Sequence, residues 1–388
     1  MKPAGFGVGF AAGWRRELGW LARSPWDLAL VTVAPLLVLV VLGAMFLSSS
    51  PHALPIAVVD ADHSSTSRQL VRNLRAAAQV DVVAEPPDLE AAWSLARRTQ
   101  VWAVVYVPRD LHREVLAGRK GEVLVYRNSA FYSIGALASR GIDGAVEALN
   151  AQLLPQLQRE RNLPAVRIER PRIQATVLFN PQLSYEWFLE ALLQPGILHV
   201  LMSALVVVAV GRELAQPGRW LAEAGGPVVA LAAKLAPYVL AFTGWQLAGT
   251  AWLCGWRGWG VHGSLLVLVA GQFALYACYA AVAALVALLL RDTYTALSAV
   301  ALYGGPAMTF SDATLPLVGA STFTLVWSHA LPFSAYVKLQ MEQMFMGSPA
   351  AASWPWVGLM LAEGAVMFAA AAALAGHGAR PAPTEQVA

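Results

Sequence analysis

Polar and apolar positions fall along this chain in two patterns. The first is the long apolar run: "LALVTVAPLLVLVVLGAMFL" (28–47) carries no charge over its whole length. Six such runs are read, at about Leu28–Leu47, Leu189–Val210, Val228–Cys254, Leu265–Leu290, Thr293–Phe310 and Trp354–Leu374. Each is near or above the ~20 residues a helix needs to cross a bilayer. Hydrocarbon offers no water to unpaired backbone groups, so each run is predicted to be a helix. The fifth is the weakest, because "YGGP" (303–306) interrupts it.

The second pattern lies between the first and second runs. Short apolar stretches alternate with amphipathic ones. "PIAVVD" (55–60), "VDVVAE" (80–85), "VWAVVYVP" (101–108) and "GEVLVYR" (121–127) read as strands. Between them, "STSRQLVRNLRAAA" (65–78), "DLEAAWSLARR" (88–98) and "RDLHREVLAG" (109–118) read as helices. Ser64, Ser65 or Thr66 is the cap of the first, Asp88 of the second, and Gly118 ends the third. A long helix follows at about Tyr132–Arg161, then "VRIERPRIQATVLF" (166–179) alternates like a strand. Short, nearly all-apolar strands alternating with helices imply a largely parallel sheet covered on both faces.

Composition sharpens the division. Only 13% of the 388 residues are charged and mean hydropathy is +0.53, whereas a soluble domain carries about 25% charge. Yet 16 of the 27 Lys and Arg residues and 14 of the 24 Asp and Glu residues fall within 51–186. The expected fold class is therefore an α-helical integral membrane protein with six transmembrane helices and an inserted α/β domain. Its divisions are 1–27, a cytoplasmic interfacial helix; 28–47, the first span; 50–186, the α/β domain; 189–374, spans two to six; and 375–388, a tail.

Sidedness follows from the basic residues in short flanks. With the N-terminus in the cytoplasm, Lys2, Arg15, Arg16, Arg23, Arg212, Arg219, Arg291 and Arg380 lie inside, against Arg257 and Lys338 outside. Residues 50–186 are then extracytoplasmic, and the 211–227 loop and the tail are cytoplasmic. The first run exceeds a signal-peptide core and no small-x-small cleavage site follows it, so it is expected to remain as a helix. Residues 311–350 are expected to form a re-entrant or interfacial pair on the outer side, from the short apolar 315–327 and the amphipathic 333–346; the rival is a seventh crossing. In "FAAGWRRELGWLARSPW", Phe10, Trp14, Leu18 and Leu21 share one helical face while Arg15, Arg16 and Arg23 lie elsewhere. That is the pattern of a helix lying on the inner leaflet.

Catalytic chemistry is not evident. Asp60 and Asp62 flank the end of the first strand, but no glycine fingerprint follows, so turn and capping roles are the plainer reading. No Ser sits in G-x-S-x-G, and His52, His63 and His112 show no metal spacing. Cys254 and Cys278 both fall in apolar runs and read as small buried side chains. A net charge of +3 without a basic stripe argues against nucleic acid. The loop G-x-x-x-x-G-K-[ST] is absent, so ATP-driven work by that route requires a separate subunit.

Several segments in order carry a resemblance: "LPIAVVDADHSSTSRQLVRNL" (54–74), "VWAVVYVPRDLHREVLAGRKGEVLVY" (101–126), "FNP" (179–181), "PGIL" (195–198), "GREL" (211–214), "KLAPY" (234–238) and "LPFSAYVKL" (331–339). The chain resembles the ABC-2 type permease family, membrane subunits of ATP-driven exporters, in its subgroup with a large outer domain after the first span. The likeness extends over nearly the whole chain. One departure stands out: the family usually continues Arg-Glu-x-Glu-x-Gly-Thr, whereas here "RELAQPGRWLAEAGG" has Ala215 at the second acid and no Gly-Thr pair.

The resemblance implies an ABC exporter subunit of the inner membrane, moving an amphiphilic or lipophilic compound outward. It implies an ABC ATPase partner that carries ATP and Mg, with no cofactor on this chain. It further implies a second permease copy or paralogue, and handover to a periplasmic adaptor. Arg212, Glu213 and Arg219 are the candidate coupling residues, in a short cytoplasmic helix broken by Pro217-Gly218; simple anchoring of Arg212 at a helix end is the alternative. Glu363, well inside the last run, and His199 are candidates for a substrate route. Glu190, His199 and Lys234 lie nearer span ends, where snorkelling or interface marking is the plainer role. Trp14, Arg15 and Arg16 belong to the interfacial helix. A non-transporting receptor or assembly platform, and a membrane-anchored enzyme, are the competing functions.

Overall fold

The computed structural model describes residues 6–47, 53–117, 121–127, 132–160, 184, 186–215, 217–314 and 317–378. The chain forms two compact units, residues 50–176 and, separately, 1–49 with 177–388. Helices α1 (Phe6–Arg23) and α2 (Pro25–Met45) open the larger unit. Ser24 separates them in an extended conformation, accepts from the Asp27 N–H and so caps α2, with Pro25 at its first position.

The smaller unit runs β1 (Leu54–Asp60), α3 (Ser65–Ala76), β2 (Val80–Ala84), α4 (Leu89–Arg97), β3 (Ala103–Val107), α5 (Leu111–Leu116), β4 (Leu124–Arg127) and α6 (Tyr132–Glu160). Its sheet has the order β2-β1-β3-β4; β1 is parallel to β2 and β3, and β4 is antiparallel to β3. Central β1 is buried on both faces. Ile56 and Val58 pack with Leu70, Leu74, Ile142 and Leu149 from α3 and α6, while Ala57 and Val59 pack with Ala92 of α4. That two-sided cover explains why β1 reads as an unbroken apolar run.

Its turns are fixed by side chains. Ser64 caps α3 and exchanges hydrogen bonds with Ser67 in a capping box, and Asp88 caps α4. Asp60 accepts from the Asp62 and His63 N–H groups (3.0 and 2.9 Å) and from the Ser67 hydroxyl (2.7 Å), while Asp62 accepts from the His112 N–H (3.1 Å). Both aspartates are thus occupied in the turns. Gly118 and the expected strand at 166–179 lie outside the described residues.

The larger unit continues with a π-helical turn at Glu186–Glu190 and α7 (Ala191–Gly211), a 3₁₀ turn at Arg212–Ala215, and α8 (Pro217–Ala224). Next come α9 (Pro227–Ala251) with a π-helical turn at Trp252–Trp256, α10 (Leu265–Leu290), and α11 (Thr293–Gly304) with a 3₁₀ turn at Gly305–Met308. The chain closes with α12 (Thr322–His329), α13 (Pro332–Gln340) with a π-helical turn at Met341–Met346, and α14 (Ala350–Gly378).

Five helical segments among the described residues are long and apolar enough to cross a membrane: Pro25–Met45, Glu186–Ala215, Pro227–Trp256, Leu265–Leu290 and Ala350–His377. They coincide with the first four and the last of the expected spans. The expected fifth is shorter. Its α-helix is 12 residues long and gives way to the 3₁₀ turn at Gly305 and Pro306, where glycine and a proline without an N–H disfavour continuation.

Helices α7 and α10 are the most enclosed, and α2 and α14 present exposed Leu and Val. Small residues permit the contact of α14 with α10: a Cβ at Gly364 would lie 3.1 Å from the Cys278 Cα. Where the sequence suggests an amphipathic 333–346, α13 is buried on nearly every side. Only Lys338 reaches out, its ammonium lying 5.2 Å from the Trp356 ring.

Candidate functional site

The densest group of charges in the larger unit gathers where α1 meets α7, α8 and α9. It begins with how α1 docks. Gly9, Glu17 and Leu21 are buried and spaced by multiples of four, so they fall on one face. A Cβ at Gly9 would lie 2.1 Å from the Ala224 carbonyl oxygen, so only glycine lets α1 approach α8 this closely. Phe10 and Trp14, stacked at 6.0 Å, are half-buried on the adjoining stripe, and Leu18 is exposed. Helix α1 therefore has one face against the protein and a separate aromatic stripe beside it. Arg15 points outward, whereas Arg16 turns to the protein.

Glu17 is the centre of the group. Its carboxylate accepts from Arg212 (Nη2, 2.7 Å), from Lys234 (Nζ, 2.7 Å) and from the Tyr238 hydroxyl (2.5 Å). Glu17 and Lys234 side chains are each 4% exposed. Arg212 uses its other terminal nitrogen on Asp27 at the start of α2 (2.5 Å) and lies 4.6 Å from the Trp20 ring, whose N–H donates to the same aspartate (2.7 Å). Lys234 also reaches Glu213 (2.7 Å), and Arg16 closes the circuit on Glu213 (2.7 Å) and Glu223 of α8 (3.3 Å).

Arg16, Arg212 and Lys234 thus face Glu17, Asp27 and Glu213, with each carboxylate shared between two or more donors. Buried charges are tolerated only when paired and hydrogen-bonded, and here every member is. Arg212 reaches carboxylates on α1 and α2 from two separate terminal nitrogens, whereas Lys234 reaches its two from a single one. The cluster joins α1, α2, the turn after α7, α8 and α9.

Of the sequence-predicted coupling residues, Arg212 and Glu213 face into this cluster. Arg219 does not: it pairs with Glu223 one helical turn on (3.1 Å) and is 72% exposed. Beside α8 lies a cleft of about 140 Å³ lined by Glu213, Leu214, Trp220, Leu288, Arg291, Leu374 and Ala375. It brings the ends of α10 and α14 to the same place.

The candidate route residues lie elsewhere. His199 is buried on α7, donates from Nδ1 to the Pro195 carbonyl (2.8 Å) and packs on Tyr279 (4.3 Å) and Phe333 (5.2 Å). Glu363 is half-buried on α14, one oxygen enclosed without a protein partner among the described residues. His199 touches Tyr279, and Gly364 next to Glu363 approaches Cys278, so both residues are set against consecutive positions of α10.

Sequence reasoning missed Glu17, Asp27 and Tyr238. The available signal was the four-residue spacing of Gly9, Gly13, Glu17 and Leu21, a close-packing stripe with one acid in it. It also missed Glu186 and Arg257, which meet at the opposite ends of α2, α7 and α9. Among the described residues no group of three His, Cys, Asp or Glu side chains is placed to hold a metal.

A family model described as "ABC-2 family transporter protein" matches residues 25–373, most of the chain. No curated protein matches the sequence at a significant level.

Proposed function

Because the chain belongs to the ABC-2 transporter family, membrane components of ABC transporters that generally work with an ABC ATPase, we propose that it is the permease subunit of an exporter. It moves an amphiphilic or lipophilic compound outward across the plasma (inner) membrane, driven by a separate ATPase subunit that carries ATP and Mg. Two copies, or one copy and a paralogue, form the pathway, and the 50–186 domain hands substrate to a periplasmic adaptor. In this reading α11 and the turn after it make a sixth, short crossing. The segment around α12 and α13 is re-entrant from the outer side, and both termini are cytoplasmic.

The observation that carries this reading is the charge cluster around Glu17. It fastens the turn and helix at 212–224 to three spanning helices, so force on α8 is delivered to α7 and α9 together. Arg15, Arg16, Arg212, Arg219 and Arg291 collect at this end, which fits a cytoplasmic face. Arg219 and the cleft beside Trp220 and Arg291 form the surface an ATPase would grip, while Arg212 and Glu213 pass the displacement inward. ATP-bound and empty ATPases then favour different packings of the spans. Glu363 and His199 border the substrate route along α10.

The test is co-purification of the full chain with an ABC ATPase co-expressed with it. Arg219→Glu combined with Arg291→Glu is expected to reduce the bound ATPase about tenfold, the effect of ~1.4 kcal/mol, and to leave the yield of folded protein unchanged. Undiminished ATPase binding and export by that variant would remove the docking surface. A chain to which no ATPase ever binds is a receptor or assembly platform instead.

A further inference from the structure

Pro35 stands inside α2 and Pro195 inside α7, and both are buried. A proline has no N–H to give to the carbonyl four residues before it, and bilayer hydrocarbon offers no water in place of that bond. The two carbonyls concerned are those of Val31 and Ala191. Each accepts from a side chain on another helix. The Trp245 indole N–H of α9 donates to the Val31 carbonyl (2.8 Å), and the Gln340 amide of α13 donates from Nε2 to the Ala191 carbonyl (2.6 Å). Gln340 is 1% exposed. The two places adjoin. Trp245, Gly249 and Trp252 follow one face of α9 and the turn beyond it, and they meet α2 in order: Trp245 at Val31, Gly249 at Leu39 and Trp252 at Gly43. Gly249 also faces Gln194, the residue before Pro195; a Cβ at Gly249 would collide with the Gln194 amide oxygen. All of these residues belong to the larger unit.

We propose that Pro35 and Pro195 are hinges in α2 and α7, and that Trp245 and Gln340 are positioning residues that hold them, each by supplying the donor its proline lacks. The donor types fit. A carbonyl can only accept, so the Gln340 side chain must turn its NH₂ toward Ala191, and an indole presents a single N–H with no acceptor of its own. Leucine at 340 or phenylalanine at 245 would fill much the same space and leave the carbonyl buried without that donor, at a cost an exposed carbonyl would not incur. A helix interrupted by proline bends at the break, because the ring pushes against the carbonyl four residues back. A catch borrowed from a neighbouring helix then makes the bend of α2 depend on where α9 stands, and that of α7 on where α13 stands. Gly249 keeps the approach close, since only glycine admits Leu39 and Gln194 to the same point of α9. The two hinges can therefore open separately. Moving α9 along its axis takes Trp245 off Val31 and frees α2 at Pro35, whereas α7 stays held while Gln340 keeps its bond. These contacts lie wholly within the larger unit and need neither an ATPase nor a substrate, so the hinges stand or fall apart from the exporter reading.

The test is a pair of double-mutant cycles on full-length protein in lipid nanodiscs. With Pro35→Ala, residue 35 regains an N–H and donates to the Val31 carbonyl by itself. Trp245→Phe is therefore expected to lower the midpoint of thermal unfolding by about 2–4 °C in the native background, and by less than half as much beside Pro35→Ala. Gln340→Leu is expected to behave in the same way toward Pro195→Ala. A second readout separates a hinge from a merely stabilising bond. With Cys254 and Cys278 replaced by alanine, spin labels at Trp26→Cys and Met45→Cys mark the two ends of α2, both exposed. Pulsed electron paramagnetic resonance reads the distribution of distances between them. Trp245→Phe is expected to broaden that distribution, and adding Pro35→Ala is expected to restore its width. A side chain whose loss costs the same beside proline and beside alanine acts by packing alone; that result in one cycle strikes its hinge, and in both it overturns the proposal. An α2 distribution that keeps its width in folded Trp245→Phe protein overturns the Pro35 hinge even where Pro35→Ala does not fold, and the Pro195 cycle decides the other.

Discussion

The Glu17 cluster and the Arg257–Glu186 pair sit at opposite ends of the same three helices and are built differently. The first shares three carboxylates among three cations, a tyrosine and an indole, so each charge keeps a partner when one contact opens. The second is a single carboxylate held by one guanidinium and one indole, that of Trp259. About twenty residues of α2 separate Asp27 from Leu47, a rise of ~30 Å, close to the thickness of a bilayer's hydrocarbon. Each helix therefore carries its polar ends at the two boundaries where water is available to unbound groups. The difference teaches that one end can rearrange by exchanging partners while the other holds or lets go as a whole.

The most damaging way to break this comparison is at Glu17. Glu17→Leu leaves Lys234 and Arg212 short of a buried partner and is expected to cost about 3–5 kcal/mol, read as a lowered midpoint of unfolding in detergent. Asp27→Asn removes only one of Arg212's two carboxylates and is expected to cost less than half as much. Equal losses for the two would mean that the charges are not shared. At the other end, Arg257→Met leaves Glu186 buried with only the Trp259 N–H and is expected to cost about 2–3 kcal/mol. Because no second cation pairs with Glu186 among the described residues, the loss should not shrink when Asp27 is also neutralised; coupling between those two sites would tie the clusters together energetically. The smallest effect is expected from Trp20→Phe. It keeps a ring under Arg212 and deletes only the bond to Asp27, for about 1 kcal/mol; a loss as large as that of Glu17→Leu would make the indole the centre of the cluster.

Much of this architecture was legible in the sequence wherever apolar residues mark a period. Residues 265–290 read as a span at the same boundaries the helix has, β2 to β4 each fall within their expected stretches, and β1 begins one residue before its own. Ser64 and Asp88 cap as their chemistry suggests. The shortfall came where packing is made by residues that carry no hydrophobic signal. On α1 the apolar period picks out Phe10, Trp14, Leu18 and Leu21, of which only Leu21 lies in the buried stripe that runs through Gly9 and Glu17. A glycine looks neutral in such a reading, and an acid looks exposed. Arg212 and Glu213 were visible as a pair, but their direction depends on Glu17 and Lys234, which are distant in the chain. The stretch 333–346 reads as two-faced because Gln340, Glu342 and Gln343 are polar, whereas Gln340 donates to the Ala191 carbonyl (2.6 Å) and Gln343 to Ser353 (2.7 Å). A buried polar side chain with a partner looks, in sequence, like a solvated one.

The three π-helical turns among the described residues, at Glu186–Glu190, Trp252–Trp256 and Met341–Met346, meet around Trp187, Trp259 and Phe345. A π turn holds one residue more than an α turn, and passing that residue along the helix turns whatever lies beyond it by roughly 100° while most backbone bonds are kept. Three such slack residues in one place make this end of the bundle a swivel, able to take up screw-like rotation of α7, α9 and α13 without unwinding any of them.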